Sequence, residues 1–236
     1  MNITLIEGSP RPAGNTATMA ELLARHLQNS GAQVTRFSVA GQYFAPCTGC
    51  NVCLKTGACA ISSERDQMPQ LYAALDRCDA LLWVTPVYFA GLPAQLKALI
   101  DRFQLFYGRR VKGAKGDGSE FSIKGTLLPE EPGSCQDPLS RRVPFMENSE
   151  PSPLAPLTRR PAAAVIIGAG GDPFGAEAAT TELRSASQIS EFTLADPLVI
   201  IGPDAPGEIA EERFAEERVQ ARLLVEALQE RARSRA

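Results

Sequence analysis

Four thiols stand within one short stretch, Cys47, Cys50, Cys53 and Cys59, in the spacing C-x2-C-x2-C-x5-C. Thiolates this close repel unless a metal or cluster neutralises them. Two successive C-x2-C steps are the spacing iron–sulfur ligands use, because the chain can curl and aim successive sulfurs at one centre. In bacterial ferredoxins the fourth Cys of such a run serves a second cluster. No second set occurs here, so Cys59 could close a single 4Fe-4S site. Gly49 and Gly57 supply the turns such a loop requires. Two other readings stay open. One is a zinc site with four thiolate ligands, although the paired knuckles of zinc ribbons are missing; the other is a loop of metal-free thiols. Cys78 reads as a buried packing residue, and Cys135 receives no role.

A second constellation suits an anion. Gly8-Ser9-Pro10-Arg11-Pro12-Ala13-Gly14-Asn15-Thr16 follows a short apolar run and opens a helical pattern. It is neither a Walker A loop nor a G-x-G-x-x-G turn. A helix N-terminus still offers unpaired N–H groups and a positive dipole end. Ser9 and Thr16 add hydroxyls, Arg11 adds charge, Asn15 can donate, and Gly14 permits a bend around the anion. The alternative is a plain loop with a Thr cap. A third constellation, Thr85-Pro86-Val87-Tyr88-Phe89-Ala90-Gly91-Leu92-Pro93, could make a rigid wall for an aromatic ring, or could be a hydrophobic loop packed on the core. Gly168-Ala169-Gly170-Gly171-Asp172 is a further candidate wall, where Gly170 and Gly171 would allow close ligand approach or simply make a tight turn.

All of these loops need strands to aim them. Apolar runs alternate with helical periodicity, the pattern of βαβ units around a parallel sheet. The runs 3–7, 33–39, 80–85, 162–168 and 198–201 predict five strands. Residues 16–29, 69–75, 93–103, 175–191 and 207–232 predict helices, with Lys97, Asp101 and Arg102 on the outer face of the third. Right-handed crossovers leave the doubly wound order 2-1-3-4-5 as the expected topology, an α/β flavodoxin-like fold. The loops above then gather at carboxyl strand ends, near the point where strand order reverses. Regular periodicity stops near Gly108 and resumes near Arg160. Between them lie glycines and a run of prolines from Pro129 onward, predicting an insertion between the third helix and the fourth strand. The expected organisation is therefore a single domain over 1–236, with a cysteine loop at 47–59 and an insertion at 108–160. That insertion is expected to lie over the ligand face or across a subunit contact.

Composition narrows the function classes. The chain has 236 residues, 44% hydrophobic and 22% charged, which excludes wholesale disorder and a coiled coil. The formal net charge of -3 argues against a nucleic-acid surface. No apolar stretch is long and unbroken enough to span a bilayer. MNITLIEG has neither a basic n-region nor an apolar h-region, so a cytoplasmic protein without a membrane partner is expected. With His26 as the single histidine, on a helical surface stretch, His-based triads are set aside.

The three segments GSPRPAGNT, PCTGCNVCLKTGAC and TPVYFAGLPAQLKALIDR, in that order, resemble the iron–sulfur flavoproteins, a branch of the NADPH-dependent FMN reductase superfamily with a flavodoxin-like fold. The likeness covers the first hundred or so residues and resumes over 161–207. It implies that Ser9, Arg11, Asn15 and Thr16 hold an FMN phosphate. It also implies that Pro86, Val87, Tyr88 and Phe89 line the isoalloxazine; Gly91, Gly170 and Gly171, read from their loops, are further candidate cofactor contacts. Cys47, Cys50, Cys53 and Cys59 would hold a 4Fe-4S cluster. Homodimers or homotetramers are implied as well. Two departures stand out. Many relatives carry Asp-Asp-Met after the fourth Cys, where this chain has Asp66-Gln67-Met68, and compact members lack the Pro-rich insertion.

The expected function is an oxidoreductase that passes electrons between a two-electron donor or acceptor and one-electron partners. The chemistry is carried by flavin, with no catalytic side chain, and the electron donor is ferredoxin or NAD(P)H with a small-molecule acceptor. The alternatives are an NAD(P)H-dependent FMN or quinone reductase whose Cys loop is structural or zinc-bound, and a non-enzymatic carrier between ferredoxin-like partners.

Overall fold

The computed structural model describes residues 1–61, 63–115, 159–170 and 175–235. Five sheet positions run in the order predicted. β1 (Asn2–Glu7) has β2 (Gln33–Ser38) on one side and β3 (Ala80–Pro86), the central strand, on the other; β4 (Arg160–Gly168) follows, all parallel. The fifth position differs from the single strand expected. Two segments, β5 (Phe192–Leu194) and β6 (Leu198–Ile201), both pair with β4, at its start and at its end. Pro197 lies between them and has no N–H to give a ladder.

β3 is buried along its whole length and β4 along nearly all of it. This is why both read as continuous apolar runs rather than alternating ones. The pleat still divides them. Leu81 and Trp83 of β3 face one side, with Leu82 and Val84 on the other. The first side is covered by α3 (Met68–Arg77), α4 (Ala94–Asp101) and α6 (Gly175–Ile189), through Leu71, Leu75, Leu96, Leu99 and Leu183. The second is covered by α1 (Asn15–Asn29) and α7 (Ala215–Arg233), through Met19, Leu23, Val225 and Leu228.

Three expectations change. α5 (Gln104–Lys115) continues past Gly108, so regular structure extends further than the periodicity suggested. The C-terminal helix does not begin at 207: two 3-10 turns, Glu208–Ala210 and Glu212–Phe214, precede α7, separated by extended Glu211. Arg102 does not face outward. It lies one residue beyond α4, where the helical wheel no longer applies, and its side chain is fully buried. Most of the predicted insertion, together with Cys135 and Gly171, lies outside the described residues. Among the described residues no helix is long and apolar enough to cross a membrane.

Candidate functional site

β1 and β3 end side by side, and the chain leaves them toward opposite sides of the sheet. A crevice therefore opens at their carboxyl ends, where ligands of doubly wound sheets sit. Gly8 extends β1 by one bond, its N–H donating to Val84 O at 2.8 Å. A Cβ on Gly8 would stand 2.5 Å from Leu96 Cδ2 and 2.6 Å from Thr85 Oγ1. No side chain fits there. Gly8→Ala is expected to cost about 1–3 kcal/mol through overpacking, a Tm loss of roughly 2–4 °C per kcal/mol for a chain this size. Unchanged thermal melting would show that Thr85 and Leu96 move aside freely. Gly14 is different. Its φ of -107° and ψ of 179° are ordinary extended backbone, so the bend assigned to it needs no glycine.

Beyond Gly8 the loop folds on itself. Arg11 N–H donates to Ser9 Oγ at 3.1 Å, and Ser9 Oγ donates to Arg11 O at 3.3 Å. Thr16 is buried in the first turn of α1. Thr18 N–H is satisfied by Gly14 O, which leaves the N–H groups of Asn15, Thr16 and Ala17 as the helix's unpaired donors. No acidic residue stands in that first turn. Asn15 departs from its assigned role. Its side chain reaches away from the loop: Nδ2 donates to Pro203 O and Ala205 O, both at 2.9 Å, while Oδ1 accepts from Ile209 N–H at 3.1 Å. Both amide hydrogens are used, so what Asn15 offers an anion is its main-chain N–H.

The second loop is a tight turn. Tyr88 N–H donates to Gly91 O and Gly91 N–H to Tyr88 O. The two central residues, Phe89 and Ala90, have φ of 37° and 60°, a conformation glycine adopts more easily. Non-glycine residues held there store strain, a feature that concentrates at functional sites. Val87 N–H ties the turn to β4 through Ile167 O. The result is a fully exposed Phe89 beside a half-buried Tyr88. Val87, Phe89 and Ala90 share a pocket of about 490 Å³ with Gly168, Ala169, Gly170 and Ile201. The structure thus brings the two predicted walls together. Arg11 links the anion loop to them, its guanidinium lying 5.8 Å from the centroid of the Tyr88 ring.

The cysteine loop follows β2. It contains the short helix α2 (Val52–Thr56), bounded by Asn51 and Gly57 in left-handed backbone, with Gly49 likewise left-handed. Cys53 is buried, Cys50 is exposed, and Cys47 and Cys59 are intermediate. Burial pushes the Cys53 thiol up, and negative charge on Cys59, Cys47 and Cys50 pushes it further. The four thiols therefore share one electrostatic neighbourhood. Among the described residues, however, no three Cys, His, Asp or Glu side chains converge as a metal-binding set. The loop brings the four cysteines into one neighbourhood without forming a ligand cage the size of a single ion. Cys78 is buried, and its thiol is pushed up by that burial.

Several residues around the loop carry no motif in the sequence. Gly108 of α5 packs on α2 so closely that a Cβ would stand 2.5 Å from Cys53 O. Arg109 pairs with Asp76 at 3.0 Å, and its Nε donates to Gly57 O at 3.4 Å. The buried pair Asp66–Arg102 lies under the loop. The Asp-Gln-Met departure had marked Asp66, but its partner is 36 residues away and left no local signal.

A family profile described as NADPH-dependent FMN reductase matches residues 1–118. An iron-sulfur flavoprotein of Archaeoglobus fulgidus is 38% identical over 128 residues, covering 53% of this chain and 56% of the relative. One from Methanocaldococcus jannaschii is 35% identical over 102 residues, 43% of this chain and 51% of the relative. The matched segment thus spans only about half the length of these curated relatives. Among solved structures, one titled flavone reductase superposes with a TM-score of 0.59 at 16% identity, over 97% of this chain and 63% of that one. A flavodoxin from the domain Archaea gives 0.51 at 10%, over 99% of both. At such identities the structures speak for the fold alone.

Proposed function

From the premise that the chain belongs to the NADPH-dependent FMN reductase family, in its iron–sulfur flavoprotein branch, we propose that it is a flavin-dependent oxidoreductase. In this reading it binds FMN in the crevice beside β1 and β3 and a 4Fe-4S cluster in the 47–59 loop. The observation that carries the flavin assignment is the junction of the two loops. Arg11 reaches from the helix terminus with free N–H groups to the Tyr88 ring, beside a pocket walled by Val87, Phe89 and Gly170. Those residues fit FMN. The N–H groups of Asn15, Thr16 and Ala17, with Arg11 and Thr16, suit a dianionic phosphate. Pro86, Val87, Tyr88, Phe89 and Gly91 suit a flat ring, with Gly170 beside them.

When bound, FMN supplies exchange between two-electron and one-electron chemistry, and a cluster supplies one-electron transfer. The chain's own residues hold and orient. Phe89 and Tyr88 shield one edge of the crevice, and Ser9 keeps the anion loop closed. No side chain is assigned as nucleophile or general base. The donor is NAD(P)H or ferredoxin and the acceptor a small molecule. Among the described residues there is no second Rossmann unit, so NAD(P)H would stack directly on the flavin. A homodimer or homotetramer in the cytoplasm, with 1–236 as one domain, completes the proposal.

A second reading has one observation in its favour. Among the described residues no three Cys, His, Asp or Glu side chains form a single-ion site, which suits a reductase whose cysteine loop is structural and metal-free. Visible and EPR spectra of protein purified without oxygen separate the two.

The flavin assignment is tested by Arg11→Ala. The variant should weaken FMN about ten- to hundredfold and riboflavin much less. Only FMN carries the anion, and charge-assisted contacts are worth roughly 1.5–3 kcal/mol. Equal losses for both flavins would show that Arg11 does not meet the phosphate.

A further inference from the structure

Arg102 and Asp66 form an ion pair at 3.0 Å in which both side chains are fully buried. The guanidinium does more than pair. Nη1 also donates to Ala45 O at 2.8 Å, and Nη2 donates to Ile61 O at 3.5 Å. Ala45 lies two residues before Cys47 and Ile61 two residues after Cys59, so one side chain ties the two ends of the cysteine loop. Asp66 reinforces the tie: its Oδ1 accepts from the N–H groups of Ala45 at 3.3 Å and Met68 at 3.2 Å. Tyr72 OH donates to Arg102 O at 2.9 Å and fixes the backbone beneath.

One atom is left over. Arg102 Nε is buried and has no hydrogen-bond partner. A charged donor sealed from water without an acceptor is costly, and natural proteins rarely leave one. The other two nitrogens of the same guanidinium meet Ala45 O and Ile61 O, so the unpaired N–H stands beside the two ends of the cysteine loop. Burial pulls the Arg102 pKa down, yet its packed neighbours Tyr72 and Asp66 raise it overall.

We propose that Arg102 is the positioning residue of the cysteine site: it closes the loop at both ends and holds a buried cation, with one N–H still to give, against the group carried by Cys47, Cys50, Cys53 and Cys59. The proposal rests on the reading above that this group is a 4Fe-4S cluster. A buried cation and an N–H donor favour the more negative, reduced state of a cluster and raise its potential; a buried carboxylate lowers it. Arg102 and Asp66 therefore act with opposite signs on one observable.

The test is an EPR-monitored redox titration of the full chain, purified without oxygen, as wild type, Arg102→Gln, Arg102→Lys and Asp66→Asn. Arg102→Gln should move the reduction equilibrium about tenfold toward the oxidised cluster, about 59 mV for a one-electron couple. Asp66→Asn should move it the other way. Arg102→Lys keeps the charge but loses the fork, so its midpoint should shift less while amide exchange across 46–61 accelerates. A merely structural role would shift no midpoint, or shift both variants in one direction; either result in iron-loaded protein overturns the proposal and leaves the cluster assignment standing. If Arg102→Gln does not fold, Arg102→Lys decides: faster exchange across 46–61 together with a lowered midpoint and FMN retained supports the proposal, while an unchanged midpoint overturns it. Wild-type protein without iron overturns both.

Discussion

Cys59→Ser should strip the protein of iron and acid-labile sulfide, each falling from about four per chain toward none, and leave FMN bound. A serine hydroxyl stays protonated where a thiol ionises, so the variant offers three anionic ligands to a centre that needs four. The substitution should not spread to the flavin. The loop's ends are held by Arg102, through Ala45 and Ile61, and its middle by Arg109, through Gly57. None of these contacts uses Cys59. The crevice proposed for the flavin lies at the ends of β1 and β3, lined from other loops. Iron, sulfide and flavin assays on protein purified without oxygen check the result. Full iron in the variant would remove Cys59 from the ligand set, and stoichiometric zinc without iron in the wild type would replace the cluster altogether.

The cysteine loop was legible because its signal is local: four residues of one type at short spacings. β3 and β4 were legible because burial on both faces writes an unbroken apolar run, whatever their partners. Order in the sheet then followed from handedness. What escaped depends on distant partners or on short elements. β5 is three residues long, too short to carry a period, and only its register with Arg160 to Ala162 makes it a strand. α5 begins one turn after α4 ends and carries Gly108, so its buried Leu105 and Phe106 did not read as a second helix. Arg102 was placed on the outer face by extending the α4 wheel past Asp101, and the carboxylate that draws it inward lies earlier in the chain, before α3. Asn15 looked like a phosphate donor because it stands in an anion loop. Its actual acceptors, Pro203 and Ala205, are almost the length of the chain away.

Asn15→Ala turns that last difference into a measurement. The side chain carries three hydrogen bonds between the head of α1 and the segment after β6. Two of them, to Pro203 O and Ile209 N–H, are buried. Removing the amide leaves those main-chain groups without partners, at roughly 1–3 kcal/mol each. The segment it anchors carries Ile209 and Phe214 into the core on the α1–α7 side of the sheet. The total loss should be roughly 2–6 kcal/mol, a fall in Tm on the order of 10 °C for a domain of this size. Flavin selectivity should not follow. The main-chain N–H groups of Asn15, Thr16 and Ala17 stay in place, so the preference for FMN over riboflavin should survive in the folded fraction, whereas Arg11→Ala abolishes most of it. Thermal melts of the flavin-free protein and parallel titrations with both flavins check the two halves together. Unchanged melting with a selective loss of FMN would return the Asn15 amide to the phosphate and show that the ties to Pro203 and Ala205 yield when the anion arrives.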